Sequence, residues 1–329
     1  MADALSAGYD AVLFDLDGTV YHGSKVVPGA PEALRALRDH GTAVRWVTNN
    51  ASKAPAEVSA HLEALGLPAT PEEVHTSSQA AAALLGERLP QGAVVLVVGT
   101  DSLAAQIESV GLRTVREAGP DVAAVVQGHS PENTWAALAE ACLAIRAGAL
   151  WVATNVDATL PSERGLLPGN GSMVAALRHA TGVEPLVAGK PAPGLFTTAA
   201  RDAGAERALV VGDRLDTDIE GAVAAGIDAL CVLTGVADAA SLIAARPEER
   251  PRYLAADLSG LSSRAELLEI GPKDGWRVTA QGDVLEADGE GDPLDLLRAL
   301  CAAAWESGIT EVRGVGDTAR AALGELRLG

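Results

Sequence analysis

Short apolar runs alternate with Ala- and Leu-rich segments along most of this chain. The run AVLFDLD (11–17) precedes PEALRALRDHG (31–41), which is followed by TAVRWVTNN (42–50). The same order returns across residues 207–235 in RALVVGD, IEGAVAAG and DALCVLTG. Such alternation is typical of βαβ units, in which helices cover the faces of a parallel sheet. We therefore predict an α/β fold with a parallel-sheet core.

Two stretches depart from this first pattern. A second αβ series begins near residue 81 with AVVLVVGT, DVAAVVQGH and ALWVATNVD. After residue 262, GWRVTAQGDVLEADG predicts a hairpin that turns at Gly282 and Asp283, and a helix and a short strand follow it. We therefore predict three parts, namely a core of residues 1–80 and 186–262, an inserted domain of 81–185 and a small C-terminal α+β module of 263–329.

Charge and cysteine usage restrict the partners and the compartment. The 44 acidic and 25 basic residues give a net charge of −19, which repels nucleic acid and anionic membranes. The longest apolar runs, such as 93–98, are far shorter than the roughly 20 residues of a membrane span. The odd set Cys142, Cys231 and Cys301 favours buried thiols over disulfides. We expect a cytoplasmic protein that binds neither nucleic acid nor membrane.

Polar residues stand where four of the apolar runs end. Ligands of open parallel sheets gather beyond the carboxyl ends of the strands, so these residues are predicted to converge. They are Asp15 and Asp17, the triplet Thr48, Asn49 and Asn50, Lys190, and Asp213 with Asp216 and Asp218.

Asp15 and Asp17 lie two positions apart, which places both carboxylates on one side of an extended chain. Their repulsion indicates a bound cation. We predict that Asp15 is a nucleophile toward phosphorus and that Asp17 is the general acid and base. Asp15, Asp213 and the backbone carbonyl of Asp17 would hold Mg²⁺, which prefers oxygen ligands.

The remaining polar residues suit the phosphate group. Lys190 would supply a positive charge, and Thr48, Asn49 and Asn50 would supply hydroxyl and amide donors. Asp218 would hydrogen-bond to the ligands of the metal without binding it. Each acid could instead be a turn residue or a helix N-terminal acid, and for Asp216 this structural interpretation is as good as a functional one.

These motifs, in this order, resemble the haloacid dehalogenase superfamily of phosphotransferases. DLDGT (15–19) is similar to its DxDxT signature, Thr48 to its hydroxyl motif, Lys190 to its basic motif and GDRLDTD (212–218) to its acidic motif. The resemblance implies a Rossmann-like core with a cap domain. Thr48 follows Asp17 by 31 positions, whereas Lys190 follows Asn50 by 140, so the cap must be the insert, an arrangement called type 2.

The triplet TNN (48–50) and the segment GKPAPG (189–194) before GDRLDTDI (212–219) resemble one subfamily in particular. This subfamily contains the sugar-phosphate, phosphoglycolate, pyridoxal-phosphate and glycerol-phosphate phosphatases. The whole chain is most similar to its glycerol 3-phosphate phosphatases, which implies a place in glycerophospholipid metabolism. Related enzymes often pair through their caps, and a homodimer remains one open alternative. A phosphatase of phosphoglycolate or another small sugar phosphate, and a non-catalytic phosphate-binding scaffold, are the alternatives for function.

The loop 154–172 is predicted to face the leaving group of the substrate. It contains no aromatic residue or histidine, so it favours a small hydroxylated group. The candidates for contacts with its hydroxyls are Asn155, Asp157, Glu163 and Arg164, of which we predict Asp157 and Arg164. His22, His75 and His129 lack the spacing of zinc ligands and are predicted to be structural or exposed. Residues 313–318 (RGVGDT) faintly resemble the coenzyme-A loop of N-acetyltransferases, but we predict a structural or interface role for them.

Overall fold

The structure is a computed structural model that describes residues 4–162 and 164–328. Two compact units make up this part of the chain. The first unit combines the residues up to Arg45 with those from Ala200 onward, and the second is Trp46–Ala199. The first unit is therefore discontinuous in sequence.

Eighteen strands occur within the described residues. In chain order they are β1 (Ala11–Phe14), β2 (Tyr21–His22), β3 (Lys25–Val26), β4 (Ala43–Thr48), β5 (Val74–Thr76), β6 (Val94–Val98), β7 (Arg113–Val115), β8 (Val122–Gln127), β9 (Leu150–Ala153), β10 (Thr159–Ser162), β11 (Gly165–Pro168), β12 (Leu186–Val187), β13 (Ala208–Gly212), β14 (Asp228–Val232), β15 (Tyr253–Ala255), β16 (Trp276–Gln281), β17 (Val284–Gly289) and β18 (Glu311–Gly314).

Twelve α-helices connect these strands in the same part of the chain. They are α1 (Ala30–Asp39), α2 (Pro55–Ala64), α3 (Ser77–Arg88), α4 (Asp101–Ser109), α5 (Trp135–Arg146), α6 (Asn170–Thr181), α7 (Gly194–Asp202), α8 (Glu220–Ala225), α9 (Ala239–Ile243), α10 (Ala265–Leu268), α11 (Pro293–Ser307) and α12 (Gly316–Glu325). No described helix is long and apolar enough to cross a bilayer.

The sheet of the first unit is parallel, in the order β15-β14-β13-β1. All four residues of β1 are buried, as expected for a strand that is covered on both faces. The register pairs Phe14 with Val211, so the residues that follow β1 and β13 emerge side by side at the carboxyl edge. The predicted parallel-sheet core is confirmed here.

The second unit contains the end of β4 paired with β5 and a separate five-stranded parallel sheet. This sheet has the order β12-β9-β8-β6-β7, and helices cover both of its faces. Leu85, Leu103 and Ile107 pack on one face, whereas Ile145 and Leu177 pack on the other. Four of its strands lie within 81–185, the insert predicted from the sequence, although the exact domain boundaries stay a prediction.

The C-terminal residues form a three-stranded sheet with two helices. β16 and β17 make an antiparallel hairpin that turns at residues 282–283, as predicted, and β18 runs parallel to β17. Helix α11 is attached to the rest of the first unit by buried polar contacts. The Arg298 guanidinium donates to the Leu254 carbonyl at 2.7 and 3.2 Å, and the Trp305 indole donates to the Leu242 carbonyl at 2.9 Å.

Candidate functional site

Three buried carboxylates gather at the carboxyl edge of the first unit's sheet. Asp15 follows β1, Asp213 follows β13, and Asp218 lies in the π-helical turn that leads into α8. One carboxylate oxygen from each residue lies within 4.8 Å of the others. The structure therefore groups Asp218 directly with Asp15 and Asp213, whereas the sequence predicted a supporting role for it.

Asp213 is held by donors from two loops. The Thr19 hydroxyl donates to Oδ1 at 3.1 Å, and the Val236 amide donates to Oδ2 at 2.8 Å. Two glycines allow these loops to approach. A Cβ at Gly18, where φ is +94°, would lie 2.5 Å from Oδ2, and one at Gly235 would lie 1.9 Å from it. Both positions therefore require glycine.

Asp218 is fixed by its own turn. Its Oδ2 accepts the Arg214 backbone amide at 3.1 Å, and its side chain packs against Gly212, where a Cβ would approach within 2.3 Å. Arg214 directs its guanidinium to Asp216 instead, at 2.8 Å. This ion pair supports the structural interpretation of Asp216, which is exposed.

Asp17 stands apart from the buried carboxylates. It is exposed, and it forms an isolated bridge with Tyr21, whose carbonyl accepts the Gly18 amide at 2.8 Å. Burial, together with the charges of Asp15 and Asp17, raises the pKa of Tyr21 above its usual range. The acid and base role of Asp17 stays a prediction from the sequence.

The donor set fits a divalent cation. Three buried carboxylates so close together repel one another strongly unless positive charge compensates them. All of the oxygens are hard ligands, which suit Mg²⁺ better than a transition metal. Asp15, Asp213 and Asp218 are therefore the candidate metal-binding side chains among the described residues.

The second unit holds the remaining candidates. Thr48 ends β4 and is buried, and its Oγ1 accepts the Asn50 amide at 3.1 Å. Lys190 is only 2% exposed, and its Nζ donates to the Val47 carbonyl at 3.1 Å. The structure thus brings Thr48 and Lys190 to one end of β4.

Asn49 connects Lys190 to the 154–172 loop. Its amide bonds to the Lys190 backbone, and its Nδ2 lies 3.2 Å from the Asp157 carboxylate. Asn50 is exposed, and its Oδ1 accepts from the Ser52 amide and hydroxyl. Arg164 lies exposed in the turn between β10 and β11, and Glu163 lies outside the described residues.

Several contacts of supporting residues were not predicted from the sequence, although Thr19 belongs to the DLDGT motif. Thr19, Tyr21 and Val236 contact the carboxylates of the first unit or their loops. In the second unit, Asn155 donates to the Asn49 carbonyl at 2.7 Å. Thr19 and Tyr21 lie within four residues of Asp17, so their closeness to the acid pair in the sequence was a usable signal for these two residues. The role of Val236 depends on how a distant loop folds, so local sequence could not reveal it.

The three histidines that the sequence analysis predicted to be structural or exposed differ in their burial. His22 is exposed, with Nε2 2.7 Å from the Thr234 carbonyl, and His75 is buried in β5. His129 is half-buried, and desolvation lowers its pKa. None of them belongs to the described carboxylate group.

Comparison with known proteins identifies the family. A profile of haloacid dehalogenase-like hydrolases matches residues 12–113, and a second HAD-hydrolase-like profile matches residues 187–261. Together these matches cover more than half of the chain and include Asp15, Thr48, Lys190 and Asp213. The chain belongs to the haloacid dehalogenase-like hydrolases.

Curated members of this family include close relatives of the chain. A D-glycerol 3-phosphate phosphatase of Mycobacterium tuberculosis is 52% identical over 92% of this chain and 88% of its own length. A 5′-nucleotidase of Bacillus subtilis is 40% identical over 69% of this chain and 88% of its own length. An acid sugar phosphatase of Staphylococcus aureus is 39% identical with the same coverage.

Solved structures of haloacid dehalogenase-like hydrolases have the same fold. The glycerol phosphate phosphatase of Mycobacterium tuberculosis in complex with magnesium superposes with a TM-score of 0.95 at 50% identity, and 99% of each chain is covered. A 4-nitrophenylphosphatase from Thermotoga maritima gives 0.72 at 30% identity, covering 78% of this chain and 98% of its own. The predicted family and α/β fold class are confirmed.

The C-terminal module has a resemblance of its own. A profile of GCN5-related N-acetyltransferase-like domains matches residues 273–328. This match includes residues 313–318, where the sequence showed a faint likeness, and covers most of the predicted module 263–329. In the structure, Arg313 pairs with Glu286, and Asp317 at the start of α12 pairs with Arg320.

Proposed function

We propose that this chain is a Mg²⁺-dependent phosphomonoesterase whose preferred substrate is glycerol 3-phosphate, as a step in glycerophospholipid metabolism. The observation that carries the proposal is the buried group of Asp15, Asp213 and Asp218 at the carboxyl edge of the sheet. The similarity to a D-glycerol 3-phosphate phosphatase over 92% of this chain supports the substrate. A cytoplasmic location agrees with the composition.

The reaction proceeds in two steps on Asp15. A carboxylate oxygen of Asp15 attacks phosphorus, the bond from phosphorus to the leaving oxygen breaks, and Asp17 gives that oxygen its proton. Water then attacks the aspartyl-phosphate while Asp17 takes a proton from it, which releases phosphate and restores Asp15. A bound Mg²⁺ supplies positive charge that lowers the repulsion between Asp15 and the phosphate.

Lys190 and Thr48 serve the phosphate group in this proposal. Lys190 adds a second positive charge, and the Thr48 hydroxyl adds a donor. That these residues act on the same phosphate as Asp15 stays a prediction from the order of the family's motifs. Asn50, Asp157 and Arg164 likewise stay predicted substrate contacts, and pairing of two chains stays a prediction from related enzymes.

The composition of the 154–172 loop supports a small substrate. Because the loop has no aromatic ring, it offers no stacking surface for a nucleobase or pyridoxal group. Short polar groups such as Asp157 can bond to hydroxyls, and an analogue that lacks the matching hydroxyl would lose about 1–3 kcal/mol per unsatisfied group. Phosphoglycolate and small sugar phosphates remain the alternative substrates.

Phosphate release from a panel of substrates tests this proposal. The panel contains glycerol 3-phosphate, phosphoglycolate, a hexose phosphate, pyridoxal 5′-phosphate and a nucleoside monophosphate, each with Mg²⁺ and with chelator. We expect the highest kcat/KM for glycerol 3-phosphate and no turnover in chelator. Asp15→Asn should lose all turnover, whereas Asp121→Asn, at an exposed aspartate, should keep it. No release from any substrate would support the non-catalytic scaffold instead.

A further inference from the structure

The side-chain amide of Asn49 is fully engaged by the chain itself. Its Oδ1 accepts the Lys190 backbone amide at 2.8 Å, and its Nδ2 donates to the Lys190 carbonyl at 3.1 Å. The same Nδ2 lies 3.2 and 3.4 Å from the two oxygens of Asp157. A primary amide has two N–H donors, so both donors of Asn49 have partners within the protein.

The backbone of Asn49 is held just as completely. Its carbonyl accepts the Ser77 hydroxyl at 2.6 Å and the Asn155 amide at 2.7 Å, which uses both of its lone pairs. Gly189 packs against the side chain so closely that a Cβ there would lie 2.5 Å from Oδ1. Asn49 is only 9% exposed. A residue with these contacts is rigid.

This arrangement fixes the point from which the Lys190 side chain extends. Both polar groups of the Lys190 backbone are bonded to one rigid amide, while Nζ reaches the Val47 carbonyl and lies 5.9 Å from the centroid of the Phe196 ring. A lysine side chain has several rotatable bonds, so its charged end is placed accurately only when its backbone is fixed. A displacement of about 1 Å at a catalytic group can cost a hundredfold in rate.

We propose that Asn49 is a positioning residue for Lys190, and that it does not bind the substrate as the sequence suggested. Through its second N–H, the same amide joins Lys190 to Asp157 of the 154–172 loop. The inference rests on the proposed function, because it assigns Lys190 to the phosphate. The proposal gives Thr48 and Asn49 different roles, because Thr48 keeps its predicted phosphate contact while Asn49 positions Lys190.

Substrates with different leaving groups distinguish positioning from binding. If Asn49 acts through Lys190, Asn49→Ala lowers kcat/KM by about 10- to 100-fold for glycerol 3-phosphate and by the same factor for 4-nitrophenyl phosphate. Inhibition by inorganic phosphate weakens in parallel. The double variant Asn49→Ala with Lys190→Ala is no slower than Lys190→Ala alone, because both changes remove one interaction.

A charge exchange tests the same contact without creating a cavity. Asn49→Asp keeps an acceptor for the Lys190 amide, but it cannot donate to the Lys190 carbonyl and it repels Asp157. Adding Asp157→Asn removes the repulsion, so we expect the pair to recover part of the 4-nitrophenyl phosphate activity that Asn49→Asp loses. Asn133→Ala is the matched control, because its amide bonds to the Gly128 carbonyl at 3.0 Å away from Lys190, and its kinetics should remain normal.

Two results would overturn the inference. One is a loss in Asn49→Ala that is confined to glycerol 3-phosphate, which would make Asn49 a substrate ligand. The other is a multiplicative loss in the double variant with Lys190→Ala, together with no recovery in the charge-exchanged pair. A wild-type chain that releases no phosphate would contradict the proposed function instead, so the two failures are distinct.

Discussion

Gly235→Ala tests whether Asp213 must occupy its observed position. A Cβ on residue 235 would lie 1.9 Å from Asp213 Oδ2, whereas real Cβ contacts essentially never fall below 3.0 Å. The carboxylate or the loop must therefore move by about 1 Å. The shift would also strain the 2.8 Å bond from the Val236 amide to the same oxygen.

We expect this substitution to weaken Mg²⁺ activation and to lower kcat/KM by as much as about 100-fold, because a 1 Å misplacement of a group at the site can cost that much. The assay is phosphate release titrated with Mg²⁺. Gly271→Ala is the matched control, because a Cβ at residue 271 would have nothing within 4 Å. This variant should change neither the Mg²⁺ activation nor kcat/KM. If Gly235→Ala kept wild-type Mg²⁺ activation, the assignment of Asp213 as a metal ligand would be wrong.

Four further predictions concern the acid, the C-terminal residues and the cysteines. Asp17→Asn should slow hydrolysis of glycerol 3-phosphate far more than that of 4-nitrophenyl phosphate, whose leaving group needs no proton; equal losses would argue against the acid role. Arg298→Ala should lower the free energy of unfolding in urea by about 1–3 kcal/mol, because the buried Leu254 carbonyl loses its donors. Arg277 is exposed, so Arg277→Ala should leave the free energy of unfolding unchanged. Truncation after residue 262 removes the Arg298 contact, so we expect the truncated chain to keep its activity but to be less stable. Burial raises the pKa of Cys301 to about 12 and that of Cys231 well above its ordinary value. A thiol reagent at pH 8 should therefore modify only Cys142 in the native chain. Rapid labelling of all three cysteines would contradict the burial of Cys231 and Cys301.

Local sequence signals were sufficient for the elements that carry the motifs. The Ala- and Leu-rich segment 31–41 predicted a helix, and the structure forms α1 over Ala30–Asp39. The apolar runs that end at Asp15 and Asp213 became adjacent buried strands. These features follow from periodicity and turn chemistry, which short stretches of sequence contain.

The contacts that hold the site depend on packing between distant segments. The predicted supporting role of Asp218 rested on its place after Asp213 in one motif, but the π-helical turn carries it to the carboxylate group. Likewise, Asn49 meets Lys190 across 141 positions of sequence. Neither arrangement leaves a periodic or compositional signal.

The discontinuity of the first unit affects how the chain folds during synthesis. One neighbour of β1 in the sheet is β13, so Ala11 pairs with Ala208 only after nearly 200 further residues have been made. At elongation rates of about 5–20 residues per second, that interval is on the order of 10–40 s. Throughout it the edge of β1 that β13 later covers has no native partner strand, whereas the five-stranded sheet of the second unit is completed by Val187. We expect the inserted sheet to fold first on the ribosome and the first segment to need protection from aggregation until β13 emerges.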